Sequence, residues 1–226
     1  MQIGVILSGC GVYDGSEIHE AVFTLLAIKE NNAEVMCYAP NIEQHHVVNH
    51  LDGSEMNETR NVLIEAARIA RGKIKSLDKF DVNDVDAIVL PGGFGAAKNL
   101  TKWAFEGPAG EINHEVRKTI VEMVMANKPV CGLCMGPTVI AKALEGTGVR
   151  AELTVGTTEE KSPYDIGAIS GGVDQTGAVS VQKTIREIAV DSKNKIVTAP
   201  CYMMEANILE IRNNVKAAID KTVEMI

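Results

Sequence analysis

The residue of this chain best placed for covalent chemistry is Cys134, which lies where an apolar segment gives way to a helical pattern. Glycines flank it as Gly132-x-Cys134-x-Gly136. This is the cysteine form of the nucleophile elbow, in which a strained turn joins a strand to a helix. The glycines leave space where a Cβ would clash, and Pro137 suits the first helical turn because its missing N–H costs nothing there. The pattern predicts a cysteine nucleophile.

The predicted helix also affects the acidity of the thiol. The positive end of a helix dipole favours a thiolate, and we expect it to lower the pKa of Cys134 from about 8.5 towards roughly 5–7. Two alternatives remain open. Cys131-x-x-Cys134 could form a thioredoxin-like redox pair, although Cys131 falls inside the apolar segment. Cys134 could also be a purely structural cysteine in a glycine turn.

A nucleophile of this kind needs hydrogen-bond donors for the oxyanion that it creates. Gly92 and Gly93 follow another apolar segment, and they let the backbone approach a ligand closely. We expect the Gly93 N–H to pair with the Met135 N–H as an oxyanion hole. An ordinary tight turn between a strand and a helix explains the two glycines equally well on this segment alone.

Acidic residues after the first apolar segment are the candidates for an acid–base partner. Glu17 and Glu20 are three residues apart and share one helix face. The Asp14-x-x-Glu17 spacing resembles a capping box, which gives Glu17 a purely structural explanation. Glu20 has no such explanation and is the first candidate for the partner of Cys134.

Short apolar segments bounded by Gly, Pro or Asn predict buried strands at 3–8, 34–39, 86–90, 128–133 and 195–199. Helical patterns separate them. Near-continuous apolar strands that alternate with helices predict an α/β fold with a mainly parallel sheet covered on both faces. In such sheets the functional crevice lies at the carboxyl ends of the strands, where the candidate residues above are found.

The helical patterns are clearest near the two ends of the chain. The first helix is predicted to face the sheet with an apolar stripe of Ile18, Ala21, Val22 and Leu25. The last helix, over 204–226, repeats the pattern with Ile208, Ile211, Val215 and Ile219. A further amphipathic helix is predicted near 59–71. The segment 152–182 is rich in Gly, Thr and Ser and predicts small antiparallel strands.

Composition limits the classes of partner and compartment. A net charge of −8 over 226 residues argues against non-specific binding to nucleic acid or to an anionic membrane. No apolar run reaches the roughly 18 residues of a membrane helix, and the first residues lead into a strand without a leader-like segment. Five cysteines, an odd number, fit reduced thiols. We therefore expect a cytoplasmic protein with no nucleic-acid and no membrane partner.

The chain resembles the ElbB family, isoprenoid-biosynthesis proteins with an amidotransferase-like domain in the PfpI and class I glutamine-amidotransferase-like superfamily. The segments that carry the resemblance are 4–20, 60–72, 91–100 and 195–200, so it spans essentially the whole chain. The superfamily pattern Gly-Ser-Glu-x-x-Glu-Ala-Val matches residues 15–22 and places its catalytic glutamate on Glu20. The elbow pattern Cys-x-Gly-Pro-Thr matches residues 134–138. The resemblance implies a single domain over residues 1–226, a flavodoxin-like three-layer sandwich and a homodimer.

The resemblance also implies a cofactor-free, metal-free and glutathione-independent glyoxalase, which converts small dicarbonyls such as glyoxal to hydroxy acids. Many relatives complete a triad with a His about two dozen residues after the elbow. Here that region, 153–158, contains none. Glutamine hydrolysis needs a His for the leaving ammonia and is disfavoured. It stays open as an alternative, as does a non-catalytic redox sensor in which Cys134 oxidises reversibly.

Overall fold

The computed structural model of the protein describes residues 1–226 and is built on nine strands. In chain order these are β1 (Gln2–Ile6), β2 (Glu34–Ala39), β3 (Ile74–Ser76), β4 (Ala87–Leu90), β5 (Val130–Leu133), β6 (Glu152–Leu153), β7 (Val179–Ser180), β8 (Ala189–Asp191) and β9 (Ile196–Ala199). Seven of them form one sheet in the order β3-β2-β1-β4-β5-β9-β8. All neighbours in it are parallel except β8, which is antiparallel to β9.

Helices flank this sheet. They are α1 (Ile18–Glu30), α2 (Val62–Ile69), α3 (Trp103–Glu106), α4 (His114–Met125), α5 (Gly136–Leu144), α6 (Ile166–Gln175) and α7 (Ile208–Glu224). The helix α1 packs beside α7, and α4 packs beside α5. This is the predicted flavodoxin-like α/β sandwich. No helix combines the length and the apolar character that crossing a membrane would require.

The five predicted strands are all present, as β1, β2, β4, β5 and β9. Four of them, β1, β4, β5 and β9, are almost entirely buried, as expected for a parallel sheet covered on both faces, whereas β2 is buried only in its second half. The two edge strands, β3 and β8, are only three residues long and have mixed polarity, so the sequence pattern did not reveal them.

The prediction of small antiparallel strands in the segment 152–182 is wrong. The strands β6 and β7 form a separate two-stranded sheet, and they run parallel. The helix α6 lies between them in the chain and provides the long connection that a parallel pair requires, whereas a tight hairpin would have made the pair antiparallel. The helix was not predicted because the segment contains many glycines, which are unfavourable inside helices.

The predicted apolar stripe of α1 is also wrong in part. Ile18 and Val22 are 44% and 46% exposed. The buried residues of the helix are Glu20, Ala21, Thr24, Ala27 and Ile28. The helix is rotated so that Glu20 faces inward, and Thr24 turns inward one turn later because its hydroxyl donates to the Glu20 carbonyl at 2.7 Å. A polar contact at the sheet edge therefore overrides the apolar periodicity.

The last helix begins later than predicted, at Ile208, because a capping box forms there. The Asn207 side chain accepts from the Glu210 N–H, and the Glu210 carboxylate accepts from the Asn207 N–H. The predicted inward stripe is buried at Ile211, Val215 and Ile219, whereas Ile208 at the first position is 47% exposed. The predicted helix near 59–71 is α2, capped by Asn61.

The orientation of α1 predicts a contrast between two isoleucines of the same helix. Ile28→Ala removes a fully buried side chain and should cost about 2–5 kcal/mol of unfolding free energy. Ile18→Ala removes an exposed side chain and should change it by less than about 0.5 kcal/mol. Urea unfolding at several protein concentrations measures both. An equal loss at Ile18 would contradict the monomer surface described here and would indicate that the expected homodimer covers it.

Candidate active site

The strand β5, the turn at Cys134 and the helix α5 form the predicted nucleophile elbow. Cys134 has φ +55°, in the left-handed region that side chains rarely adopt. A Cβ on Gly132 would lie 2.7 Å from Ile140 Cδ1, and one on Gly136 would lie 2.6 Å from the Leu90 carbonyl oxygen. The turn thus needs both glycines, and it holds Cys134, 5% exposed, at the carboxyl edge of the sheet.

Glu20 reaches the same edge from α1 and lies against Cys134. Its side chain is fully buried. One carboxylate oxygen accepts from the Gly92 N–H at 2.9 Å, and the other accepts from the Tyr202 N–H at 3.2 Å. A hydrogen bond joins the Glu20 carboxyl and the Cys134 thiol. The structure therefore brings together the two residues that the sequence proposed as nucleophile and acid–base partner.

The glycines that follow β4 make this approach possible. A Cβ on Gly92 would lie 2.4 Å from Cys134 Cβ and 2.7 Å from Glu20 Oε2. Gly93 has φ +95°, and its Cβ would lie 2.4 Å from the Glu17 nitrogen. An ordinary strand-to-helix turn does not require such close packing on both sides. The pair of glycines is a spacer that lets α1 and the elbow meet.

The two N–H groups predicted as an oxyanion hole converge on the sulfur. Both the Gly93 N–H and the Met135 N–H hydrogen-bond to Cys134. An oxyanion on a carbon bonded to that sulfur would form beside the same donors, which is the geometry that stabilises a tetrahedral adduct.

Glu17 has a different structural role from the one predicted. The capping box with Asp14 is wrong, because Glu17 itself is the N-cap of α1 and accepts from the Glu20 N–H at 2.7 Å. Asp14 instead accepts from the Val48 N–H at 2.8 Å. A turn spans residues 12–14 and Glu17 still has extended backbone angles, so the helix begins three residues later than the Asp14 cap would require. Glu17 also lines the cavity in front of Cys134.

Two residues that the sequence did not connect lie at the rim of the site. Tyr202 follows β9 and donates its backbone N–H to Glu20, and its hydroxyl lies 2.8 Å from His19 Nδ1. The same His19 nitrogen lies 4.0 Å from a Glu17 oxygen. His19 points away from Glu20, as expected from the helix geometry, but Tyr202 connects it to the site. Glu20 and Tyr202 are 182 positions apart in the chain, so no local sequence pattern indicated this contact.

A cavity of about 250 Å³ opens in front of Cys134. Its walls are mostly apolar, and they include four aromatic rings, those of Phe94, Trp103, Tyr164 and Tyr202. Glu17 is the one charged side chain in the lining. No group of three or more His, Cys, Asp or Glu side chains is arranged to hold a metal ion. The cavity therefore suits a small, largely apolar molecule with a reactive carbon at the sulfur.

The electrostatics of the buried pair differ from the sequence-based expectation. Burial, and then the Glu17 charge, raise the pKa of Glu20 from 4.5 to about 8. Burial and the neighbouring Glu20 raise the pKa of Cys134 well above its ordinary value of 9.0. The predicted fall towards 5–7 is wrong, because the Gly93 and Met135 N–H groups only partly offset the desolvation of the sulfur. The two acids titrate as one coupled pair, and Glu20, which has the lower pKa, is the first of them to ionise.

The remaining cysteines are separate from this pair. Cys131 is fully buried in β5, and burial raises the pKa of its thiol to about 12, which a hydrogen bond with Thr222 of α7 only partly offsets. Cys37 and Cys201 are buried too, and Cys10 is half-buried. All five are free thiols. The direction of the Cys131 thiol, towards α7, does not favour a redox pair with Cys134.

Comparison with known proteins places this geometry among relatives. A human protein described as a mitochondrial glutamine amidotransferase-like class 1 domain-containing protein 3 is 41% identical over 228 aligned residues, which cover 99% of this chain and 83% of the human one. The crystal structure of an isoprenoid biosynthesis protein with an amidotransferase-like domain from Ehrlichia chaffeensis superimposes with a TM-score of 0.90 at 31% identity, over 100% of this chain and 99% of that one.

A more distant structure has the same fold. The crystal structure of glyoxalase III from Candida albicans superimposes with a TM-score of 0.60 at 15% identity, covering 98% of this chain and 97% of that one. At this identity the likeness concerns the fold alone. No protein-family profile matches the chain.

The coupled pair predicts the pH dependence of thiol reactivity. Alkylation of Cys134 by iodoacetamide should reach its midpoint above the ordinary thiol pKa of 9.0, because burial and the Glu20 charge raise the pKa of Cys134. Glu20→Gln should shift this midpoint to lower pH, because it removes the charge that raises the pKa of Cys134. Peptide mass analysis resolves Cys134 from the half-buried Cys10. Glu111→Gln, on the surface, is the control. Equal midpoints in the two variants would contradict the coupling.

The raised pKa of Glu20 also predicts a pH-dependent stability. Between about pH 4.5 and 8 the unfolded chain releases a proton that the folded protein keeps, so the stability present at low pH is lost as the pH rises through this window. Relative to Glu20→Gln, the wild-type protein should lose on the order of 3–5 kcal/mol between pH 4.5 and 8. Urea unfolding at both pH values measures the difference. Parallel stability curves would mean that Glu20 titrates normally.

Proposed function

Because the chain belongs to the ElbB-like family of class I glutamine amidotransferase-like proteins, we propose that it is a cofactor-free, glutathione-independent glyoxalase with Cys134 as nucleophile. The observation that carries the proposal is the buried pair of Cys134 and Glu20, set between two backbone N–H donors at the base of a cavity. Such a pair can add to a carbonyl and move protons without a histidine. The fold shared with glyoxalase III supports the proposal.

In the proposed reaction the Glu20 carboxylate takes the proton of the Cys134 thiol, and the sulfur adds to an aldehyde carbon of glyoxal. A sulfur–carbon bond forms, and the carbonyl electron pair moves to the oxygen, which the Gly93 and Met135 N–H groups hold. Glu20 then passes the proton that it took from the thiol to this oxygen. The site thus reaches a neutral hemithioacetal without burying a second charge.

The carboxylate of Glu20 then acts as a base. It lies against the sulfur, so it is within reach of the carbon bonded there. It removes the proton of that carbon and returns a proton to the second carbon through an enediol-like intermediate. The first carbon is oxidised to a thioester while the second is reduced to an alcohol. Water cleaves the thioester to glycolate and releases the thiol.

Glutamine hydrolysis is the main alternative among enzymes, and the cavity argues against it. Free glutamine carries an α-carboxylate that needs a cationic partner when it is buried. The cavity lining offers no Lys or Arg, and its one charged side chain is the acidic Glu17. The hydrogen bonds to Cys134 come from Glu20, Gly93 and Met135, not from a histidine that could protonate leaving ammonia.

A non-catalytic redox sensor remains the alternative of a different class. It would use the same buried thiol, oxidised to a sulfenic acid and then reduced again. The raised pKa of Cys134 lowers the thiolate fraction available for oxidation and for carbonyl addition alike, so it does not separate the two functions. Catalytic turnover of a dicarbonyl is the observation that separates the two.

Steady-state assays with glyoxal, with glycolate as the measured product, test the proposed function. Cys134→Ala should abolish turnover, and Glu20→Gln should lower kcat by about 10²–10⁴ because it removes acid–base catalysis. Cys131→Ser should keep a sizeable fraction of the activity, since that thiol packs towards Thr222. Glutamine should release no ammonia. Ammonia release that depends on Cys134 would support the amidotransferase instead, and activity that survives in Cys134→Ala would rule out the nucleophile.

A further inference from the structure

The cavity in front of Cys134 is much larger than glyoxal. An apolar cavity of about 150 Å³ is large enough to hold benzene. This one measures about 250 Å³, which is roughly 100 Å³ more than the cavity that holds such a ring. Glyoxal has only four non-hydrogen atoms. A bound glyoxal would leave most of the cavity to water, for which the apolar walls provide few hydrogen-bond partners.

The walls are suited to an apolar ligand group. Phe94, Trp103 and Tyr164 line the cavity with aromatic rings, and Ile169 and Met203 add aliphatic surface. The Phe94 and Tyr164 rings meet edge to face with centroids 6.0 Å apart, so they form a continuous aromatic wall. Each methylene that moves from water to such a surface favours binding by about fourfold.

The charges of the site exclude anionic substituents. Glu17 and the buried Glu20 are both acidic, and Lys or Arg side chains are missing from the lining. A carboxylate or phosphate on the substrate would be desolvated near the acidic Glu17, without a cationic partner. The substituent that fits must therefore be both apolar and uncharged.

Resting on the proposed function, we infer that the substrates are α-oxoaldehydes whose ketone carbon carries an aryl or branched alkyl group. The aldehyde carbon binds Cys134, and the substituent fills the apolar cavity. Phenylglyoxal represents the class. The thiol adds to its aldehyde carbon, the proton of that carbon moves to the former ketone carbon, and water cleaves the thioester to mandelate. One carbon is oxidised and its neighbour is reduced, so no external oxidant or reductant is consumed.

The experiment compares kcat/KM for glyoxal, methylglyoxal, isobutylglyoxal and phenylglyoxal, with each hydroxy acid quantified by chromatography and the Cys134→Ala background subtracted. Isobutylglyoxal and phenylglyoxal should exceed glyoxal by at least about tenfold. Phenylglyoxal that bears a para carboxylate has nearly the same shape, and it should fall at least about tenfold below phenylglyoxal because of its charge.

Two variants reduce the cavity, and one serves as a control. Ala97→Val fills it from the buried side, and Ala104→Leu fills it from the solvent side, where a larger side chain is more readily accommodated. Each should lower the ratio of kcat/KM for phenylglyoxal to that for glyoxal by at least about fivefold. Ala168→Leu lies on the exposed face of α6, outside the cavity, and should leave the ratio within twofold.

The outcomes separate the inference from the function that it rests on. If glyoxal is converted at least as well as phenylglyoxal, or if the para carboxylate makes no difference, the substrate class is wrong while the glyoxalase function stands. An unchanged ratio in both filled variants would also overturn the assignment of the substituent to this cavity. If no dicarbonyl is converted, the proposed function fails, and the substrate class fails with it.

Discussion

The structure depends on the placement of two acids side by side, almost entirely buried, at the carboxyl edge of the sheet. Cys134 and the fully buried Glu20 touch, and the Glu20 charge raises the pKa of Cys134, whereas the thiol lowers the pKa of Glu20 by hydrogen bonding. The pair can therefore hold one negative charge but not two. Two backbone N–H groups fix the carboxylate, and two others fix the sulfur.

Backbone, more than side chains, maintains this arrangement. Gly92 and Gly93 let the loop after β4 pass between α1 and the elbow at distances that no Cβ would allow. Gly15, in the loop before α1, lies just as close, since its Cβ would be 2.2 Å from the Cys10 nitrogen. Three segments that are far apart in the chain thus meet through main-chain atoms. The site is precise because there is little room in which its parts could shift.

The elbow could be predicted because its constraints lie within five consecutive residues. A strained cysteine, its two glycines and the helix behind it leave a local pattern, and the structure contains each of them. The orientation of α1 was not predictable in this way. Apolar periodicity favoured Ile18 and Val22, but the helix turns inward at Glu20, whose hydrogen bonds come from residues 92 and 202. The acidity of Cys134 was misjudged for a related reason: the helix dipole can be read from sequence, whereas desolvation depends on everything packed around the sulfur.

The apolar cavity has a consequence for the form in which a dicarbonyl can enter. In water an activated aldehyde adds a water molecule and exists largely as a gem-diol. The two hydroxyls of that hydrate would lose their hydrogen bonds against walls such as Phe94 and Trp103, whereas the free carbonyl loses far less. For the dicarbonyl substrates that we propose, we therefore expect the cavity to select the dehydrated molecule, and the apparent affinity to be lowered by the small fraction of molecules in that form. For a site of this kind, the total substrate concentration needed to occupy the cavity therefore depends in part on the hydration equilibrium of the substrate in bulk water.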